Sequence, residues 1–136
     1  MELTTALLLY AISVPIFFII DMIWLGWLAR DFYQTHIGQL LGPVRWGAAI
    51  GFYLVYLVGV IFFAVYPGFT AESVTTAALY GGLFGFFTYA TYDMTNLATV
   101  AGWSVRVTVV DIIWGTILGA SVAGATVFVA LQLLGT

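Results

Sequence analysis

Three aspartates lie in apolar stretches of the sequence, and their carboxyl groups are the side chains best suited to chemistry. Asp21 lies in the segment IIDMIW, and Asp93 and Asp111 lie in the stretch 91–115. An ionisable side chain at membrane depth costs roughly 2.5–3.5 kcal/mol on insertion scales and usually faces the interior of a helix bundle. Carboxylates in such a setting hold a proton, a cation or a lipid headgroup, or act as general acids and bases.

Polar and aromatic residues near the three aspartates complete a candidate ligand-binding site. Two tryptophans each follow an aspartate by three residues, which places acid and indole on one helix face. The indole N–H is then a hydrogen-bond donor. One arginine lies five residues before an aspartate. This spacing does not place the two on one helix face, but the long arginine side chain could reach toward the carboxyl. The candidate site consists of Asp21, Trp24, Tyr89, Tyr92, Asp93, Thr95, Asn96, Arg106, Asp111 and Trp114.

The composition determines the class of protein. The chain has 136 residues, of which 63% are hydrophobic and only 7% charged, as expected for an integral membrane protein and not for a soluble domain of this size. The absence of cysteine excludes disulfides and thiolate metal sites. The absence of lysine excludes a Schiff base and a P-loop lysine. A net charge of −3 without a basic run excludes a nucleic-acid partner.

The elements that position these side chains are predicted to be helices. We predict an all-α, integral membrane four-helix bundle that forms one domain over residues 1–136, with helices at about 4–28, 44–65, 74–100 and 104–134. The turn 66–69 is expected to end the second helix, and segment 30–43 is expected to lie in the membrane interface. The first helix lacks a basic region before it, so we expect it to be retained and not cleaved as a signal peptide.

Charge distribution predicts the orientation. All three basic residues, Arg30, Arg45 and Arg106, fall at the end of the bundle that holds the first and third connections. The positive-inside rule makes this end cytoplasmic. We therefore expect a multi-pass protein of the bacterial cytoplasmic membrane with both termini outside. At 1.5 Å per residue, the three aspartates lie at one level, about 10 Å from the cytoplasmic helix ends.

Small residues recur every four positions on three predicted helices, and such rows permit close helix approach. Packing within the chain is the expected role. The rows are Gly47 with Gly51, Gly81 and Gly82 with Gly85, and Gly115 with Gly119 and Ala123.

Three roles for the aspartates stay open on these residues alone. They are structural hydrogen-bonding groups, a site for a cation, proton or lipid headgroup, or acid/base groups acting on a lipid. Short catalytic and zinc-binding motifs are absent, and no cofactor is evident. Carboxylates suit a hard cation such as Mg²⁺, Ca²⁺ or Mn²⁺. Membrane lipids are the expected partners, with a homo-oligomer or a larger membrane complex as further possibilities.

The central stretch resembles a family of small bacterial membrane proteins of unknown function. The shared pattern is Tyr-Asp-x-Thr-Asn-x-Ala-Thr, then a tryptophan and Asp-x-x-Trp-Gly, and the resemblance covers essentially the whole chain. It implies a lipid-linked role, through gene neighbourhoods that contain lipid-modifying enzymes, and no particular activity. We therefore expect a lipid-interacting or lipid-modification accessory protein. The alternatives are a small proton- or cation-linked transporter subunit and a non-catalytic subunit of a membrane complex. The matching positions are Tyr92, Asp93, Thr95, Asn96, Ala98, Thr99, Trp103, Asp111, Trp114 and Gly115.

Overall fold

The computed structural model describes residues 2–134, and within that range it contains helices and connections but no strand. The prediction of an all-α chain is thus confirmed for the described residues. Two five-residue π-helical segments, Trp24–Leu28 and Ile61–Val65, and a 3₁₀ turn, Gly38–Leu40, join the α-helices. The α-helices are α1 (Leu3–Ile23), α2 (Arg30–Ile37), α3 (Trp46–Val60), α4 (Tyr66–Thr70), α5 (Val74–Thr99) and α6 (Val105–Leu133).

Three continuous helical segments are long and apolar enough to cross a membrane. They are Leu3–Leu28, Trp46–Thr70 and Val105–Leu133. Helix α5 has a comparable length of 26 residues, but its second half carries threonines, tyrosines, Asp93 and an asparagine, which lower its hydropathy. The structure therefore supports a membrane protein with three helices of spanning length and composition, one fewer than the sequence predicts.

The second long helix continues beyond the end that the sequence predicts. The turn expected at 66–69 is wrong, because the chain stays helical through α4. Pro67 lies in the first turn of α4. The π-helical segment Ile61–Val65 directly precedes α4, so the register of the backbone hydrogen bonds changes just before the proline.

Helices α5 and α6 form an antiparallel hairpin whose backbones touch at glycines. A Cβ atom on Gly81 would collide with the carbonyl oxygen of Gly119, and one on Gly85 with the carbonyl oxygen of Gly115. The predicted packing role of these two rows is confirmed. The row on α3 behaves differently, since a Cβ on Gly47 would meet no atom within 4 Å.

The hairpin connection is built from local caps. Ser104 Oγ accepts a hydrogen bond from the Val107 backbone N–H at 3.2 Å and thereby caps α6. Gly102 adopts a φ of +82°, which glycine tolerates without a side-chain clash. This turn places the end of α5 and the start of α6 at the same end of the helices as α2.

Candidate functional site

The three aspartates are buried in the structure. Asp93 is 0% exposed, Asp21 2% and Asp111 7%. Asp21 lies seven residues before the end of the segment Leu3–Leu28, and the other two lie six residues from their helix ends. These counts place all three about 9–10 Å from one end of the helices. The carboxyls of Asp93 and Asp111 are near neighbours, and the Asp111 carboxyl is also close enough to Asp21 to interact with it electrostatically.

Asp93 is the least satisfied of these side chains. Among the described residues, neither of its carboxyl oxygens has a hydrogen-bond partner. Its closest charged neighbour is the Asp111 carboxyl, which repels it when both are ionised. A buried polar atom without a partner costs about 1–3 kcal/mol, and a buried charge costs more. The site therefore needs a proton or a hydrogen-bonding ligand at Asp93.

Tyr33 on the short helix α2 connects two of the long helices. The Trp24 Nε1–H donates to the Tyr33 hydroxyl oxygen at 3.0 Å, and the Tyr33 hydroxyl donates to Asp111 Oδ1. Burial of the hydroxyl, reinforced by the Asp111 carboxylate, raises the pKa of Tyr33 above its ordinary value. Tyr33 therefore stays protonated at neutral pH and holds α2 against the aspartate end of the bundle.

The two tryptophans that follow aspartates in the sequence meet in the structure. The rings of Trp24 and Trp114 stack with centroids 4.5 Å apart and planes inclined by 7°. The segment that begins at Trp24 is π-helical, and the Ala29 N–H donates to the Trp24 carbonyl at 2.8 Å. Trp114 Nε1 is buried without a hydrogen-bond partner in the described chain and lies close to Asp21.

Tyrosines of α3 and α5 surround the Asp21 side of the site. Tyr53 lies near the Asp21 carboxyl, and its ring centroid is 5.1 Å from that of Phe17. Tyr56 is 4% exposed, and its hydroxyl has no hydrogen-bond partner within residues 2–134. Tyr89 packs edge-on against Tyr56 at 6.5 Å and lies within the electrostatic reach of Asp21 and Asp111.

Six of the ten predicted site residues cluster in the interior, and Tyr92 lies at the exposed edge of that cluster, within the electrostatic reach of Asp93 and Asp111. Tyr92, Thr95 and Arg106 are exposed, and Asn96 is half-buried. Tyr92 packs edge-on against Trp103 with centroids 5.9 Å apart. The side chains that interact with the Asp111 carboxyl are those of Tyr33 and Asp93, and not that of Arg106. The residues that cluster are Asp21, Trp24, Tyr89, Asp93, Asp111 and Trp114.

Three tyrosines of this site, Tyr33, Tyr53 and Tyr56, are not among the residues that the sequence predicts. Tyr33 carries a usable signal, because it shares the apolar face of the interfacial segment with Ile37, which is 4% exposed. An aromatic residue on such a face must pack on a neighbouring element. Tyr53 and Tyr56 carry no comparable signal, since the helix around them is apolar on every side.

Within the described part of the chain, no group of three or more histidine, cysteine, aspartate or glutamate side chains is placed to hold a metal ion. An apolar groove of about 330 Å³ lies elsewhere, between the π-helical segment Ile61–Val65 and α5. Its lining residues are Phe63, Tyr80, Leu83, Phe84 and Phe87, so the groove and the aspartates are separate features.

Helices of membrane-spanning length and a buried cluster of aspartates define an all-helical membrane protein with an internal acidic site. The chain belongs to the family described as "Predicted membrane protein (DUF2177)", whose family model matches residues 6–128. This match confirms the resemblance to a membrane protein family of unknown function. No curated protein and no solved structure matches the chain.

Proposed function

We propose that the protein is a lipid-interacting accessory protein of the bacterial cytoplasmic membrane that binds a lipid headgroup at Asp21, Asp93 and Asp111. One observation carries the proposal. Asp93 is fully buried, and both of its carboxyl oxygens lack a hydrogen-bond partner within the described residues. A buried carboxyl without hydrogen-bond partners is costly, so it is expected where a bound ligand supplies those hydrogen bonds.

The proposed topology has four crossings, because α5, the third in chain order, is added to the three segments of spanning length and composition. Helix α5 packs along α6 through touching glycine backbones, so it runs antiparallel to a segment of spanning length. Its polar residues include Asp93, which is buried between helices and not turned to lipid. Arg30 and Arg106 lie at the aspartate end, at the starts of α2 and α6. The positive-inside rule favours this end as cytoplasmic and the termini as outside.

The depth of the aspartates suits a headgroup. Segment Leu3–Leu28 and helix α5 each have 26 residues, which correspond to a length of about 39 Å. The hydrocarbon core is about 30 Å thick, so centred helices extend about 5 Å beyond it at each end. The aspartates, about 9–10 Å from the helix ends, then lie about 5 Å inside the hydrocarbon boundary, within reach of a headgroup that enters beside α2.

Native mass spectrometry of the gently extracted protein tests the proposal. We expect wild type to retain a lipid and Asp93→Asn to lose it, because the amide is neutral and no longer attracts a cationic group. Asp31→Asn is the matched control, since Asp31 is an exposed aspartate on α2. Equal lipid retention in wild type and Asp93→Asn, or retention in neither, would contradict a headgroup site at Asp93.

A small proton- or cation-linked transporter subunit is the second candidate function. The proximity of the Asp93 and Asp111 carboxyls favours it, because two neighbouring carboxyls share a proton or a cation readily. Purified protein in liposomes would then dissipate a proton or cation gradient, and Asp93→Asn would not. Gradients that persist equally with both proteins would contradict the transporter role.

A further inference from the structure

We propose that the ligand of this site is a primary ammonium group, supplied by the headgroup of an aminophospholipid. The proposal rests on the proposed function, since it names the headgroup that the aspartates bind. It is carried by the hydrogen-bond deficit at the site, by the stacking of the two indoles and by the residue types around the carboxyls. Each of these observations excludes a different class of ligand.

The Asp93 carboxyl is short of hydrogen-bond donors. Both oxygens of Asp93 are buried without a partner in residues 2–134, whereas Asp111 already accepts from Tyr33. A primary ammonium carries three N–H donors and a positive charge, so it can bridge neighbouring carboxylates and relieve their repulsion. A single shared proton would satisfy only one of the Asp93 oxygens.

Two other side chains, both near Asp21, also carry buried polar atoms without a partner within residues 2–134. Tyr56 is 96% buried by area, its exposed fraction being 4%, and its hydroxyl has no partner among the described residues. It lies within the electrostatic reach of Asp21. Trp114 Nε1 is likewise buried without a partner and lies near the same carboxyl. Unpartnered polar atoms on α3 and α6 thus lie near Asp21, and the unpartnered carboxyl on α5 lies near Asp111, as expected beside a polar ligand that can both donate and accept hydrogen bonds.

The aromatic residues argue against a quaternary ammonium. Recognition of choline relies on aromatic faces that are open to the cation. Here the facing sides of Trp24 and Trp114 cover each other at 4.5 Å, and the Trp24 N–H is committed to Tyr33. A trimethylammonium group also has no N–H donor, so it would leave the Asp93 oxygens unsatisfied.

Anionic headgroups and metal ions fit less well. Two close carboxylates repel a headgroup with a net negative charge, and Arg106 is exposed and not turned into the site. A hard divalent cation takes six or more oxygen ligands. No cluster of three or more acidic or histidine side chains in the described chain is arranged for that purpose.

A series of lipids with identical acyl chains tests this inference on the wild-type protein, so it does not depend on the folding of any variant. Lipid retention is measured by native mass spectrometry for phosphatidylethanolamine, its mono- and dimethyl derivatives, phosphatidylcholine and phosphatidylglycerol. We expect retention to fall with each added methyl group, by roughly tenfold or more between the first lipid and phosphatidylcholine. Equal retention of both, or preferential retention of phosphatidylglycerol, would overturn the inference.

Two further arms separate the source of the amine and the role of Asp93. Free phosphoethanolamine that displaces the retained lipid at equal concentration would identify a soluble amine, not a lipid, as the ligand. Asp93→Asn should abolish the preference for phosphatidylethanolamine, whereas Asp31→Asn should preserve it. If wild type retains lipids without regard to methylation, only this inference fails. If it retains no lipid at all, the proposed function fails with it.

Discussion

The indole of Trp24 lies flat on the indole of Trp114, with ring centroids 4.5 Å apart and planes inclined by 7°. Each tryptophan follows an aspartate by three residues, but each serves the aspartate of the other helix. Trp24 reaches Asp111 through the Tyr33 hydroxyl, and Trp114 lies near Asp21. The stack therefore joins the π-helical segment Trp24–Leu28 to α6, and each indole lies near the aspartate that belongs to the other helix.

The stacked pair predicts a spectroscopic signature. Two indoles at this distance and angle couple their transitions, so we expect an exciton couplet in the circular dichroism spectrum of the folded protein. Trp24→Phe should abolish the couplet and leave the helical signal intact. Trp46→Phe is the matched control, because Trp46 is 64% exposed. A couplet that survives in Trp24→Phe would contradict the stacking.

Tyr33→Phe tests the hydrogen-bonded chain between the π-helical segment Trp24–Leu28, α2 and α6. The substitution keeps the ring and removes the hydroxyl, which leaves the Trp24 N–H and Asp111 Oδ1 without their partner. We expect the protein to lose about 1–3 kcal/mol of stability and its lipid retention to weaken, as measured by unfolding in detergent and native mass spectrometry.

Tyr92→Phe serves as the control for Tyr33→Phe. Tyr92 is 56% exposed and packs beside Trp103, so its hydroxyl lies at the exposed edge of the site, within the electrostatic reach of Asp93 and Asp111. We expect little change in stability or lipid retention. A Tyr92→Phe protein that loses as much as Tyr33→Phe would show that the tyrosine of the central sequence pattern belongs to the site after all.

The position of the aspartates was accessible from the sequence, whereas their hydrogen-bonding partners were not. Counting residues from helix ends places Asp21, Asp93 and Asp111 at one level, because an α-helix has a constant rise. Which side chains meet at that level depends on the rotation of each helix and on where α2 lies. Tyr33, 78 residues from Asp111 along the chain, is a product of that tertiary packing.

Spacing along one helix also does not show which neighbours of Asp93 are buried beside it. Tyr92 and Thr95 flank Asp93 in the sequence, but side chains one and two residues away leave an α-helix in different directions. They consequently lie on the exposed surface of α5, while Asp93 is buried. The sequence also did not predict that the second long helix continues past Pro67. A π-helical segment precedes this proline, and a pattern of apolar residues does not reveal such a segment.

The pKa of Tyr33 predicts a dependence of stability on alkaline pH. Burial and the Asp111 carboxylate raise this pKa above its ordinary value, which is about 10. The folded protein therefore keeps a proton that the unfolded chain releases. The stabilisation is complete below about pH 10 and is lost progressively as the pH rises above it. We expect the thermal midpoint to fall above this pH in wild type and to fall less in Tyr33→Phe, and parallel curves for the two proteins would contradict the assignment.

The glycine contacts between α5 and α6 predict a large difference between two formally identical substitutions. In Gly85→Ala the new methyl group would collide with the Gly115 carbonyl, a rigid backbone group, so the helices must separate and we expect a loss of about 2–4 kcal/mol. In Gly47→Ala the methyl group meets no atom within 4 Å, and helix propensity then favours alanine by up to about 1 kcal/mol. Unfolding in detergent measures both.

Because Gly85 packs two turns from Asp93 on the same helix, Gly85→Ala should also weaken lipid retention, whereas Gly47→Ala should leave it unchanged. Equal stability of the two variants would show that the hairpin is not held by backbone contact at these glycines.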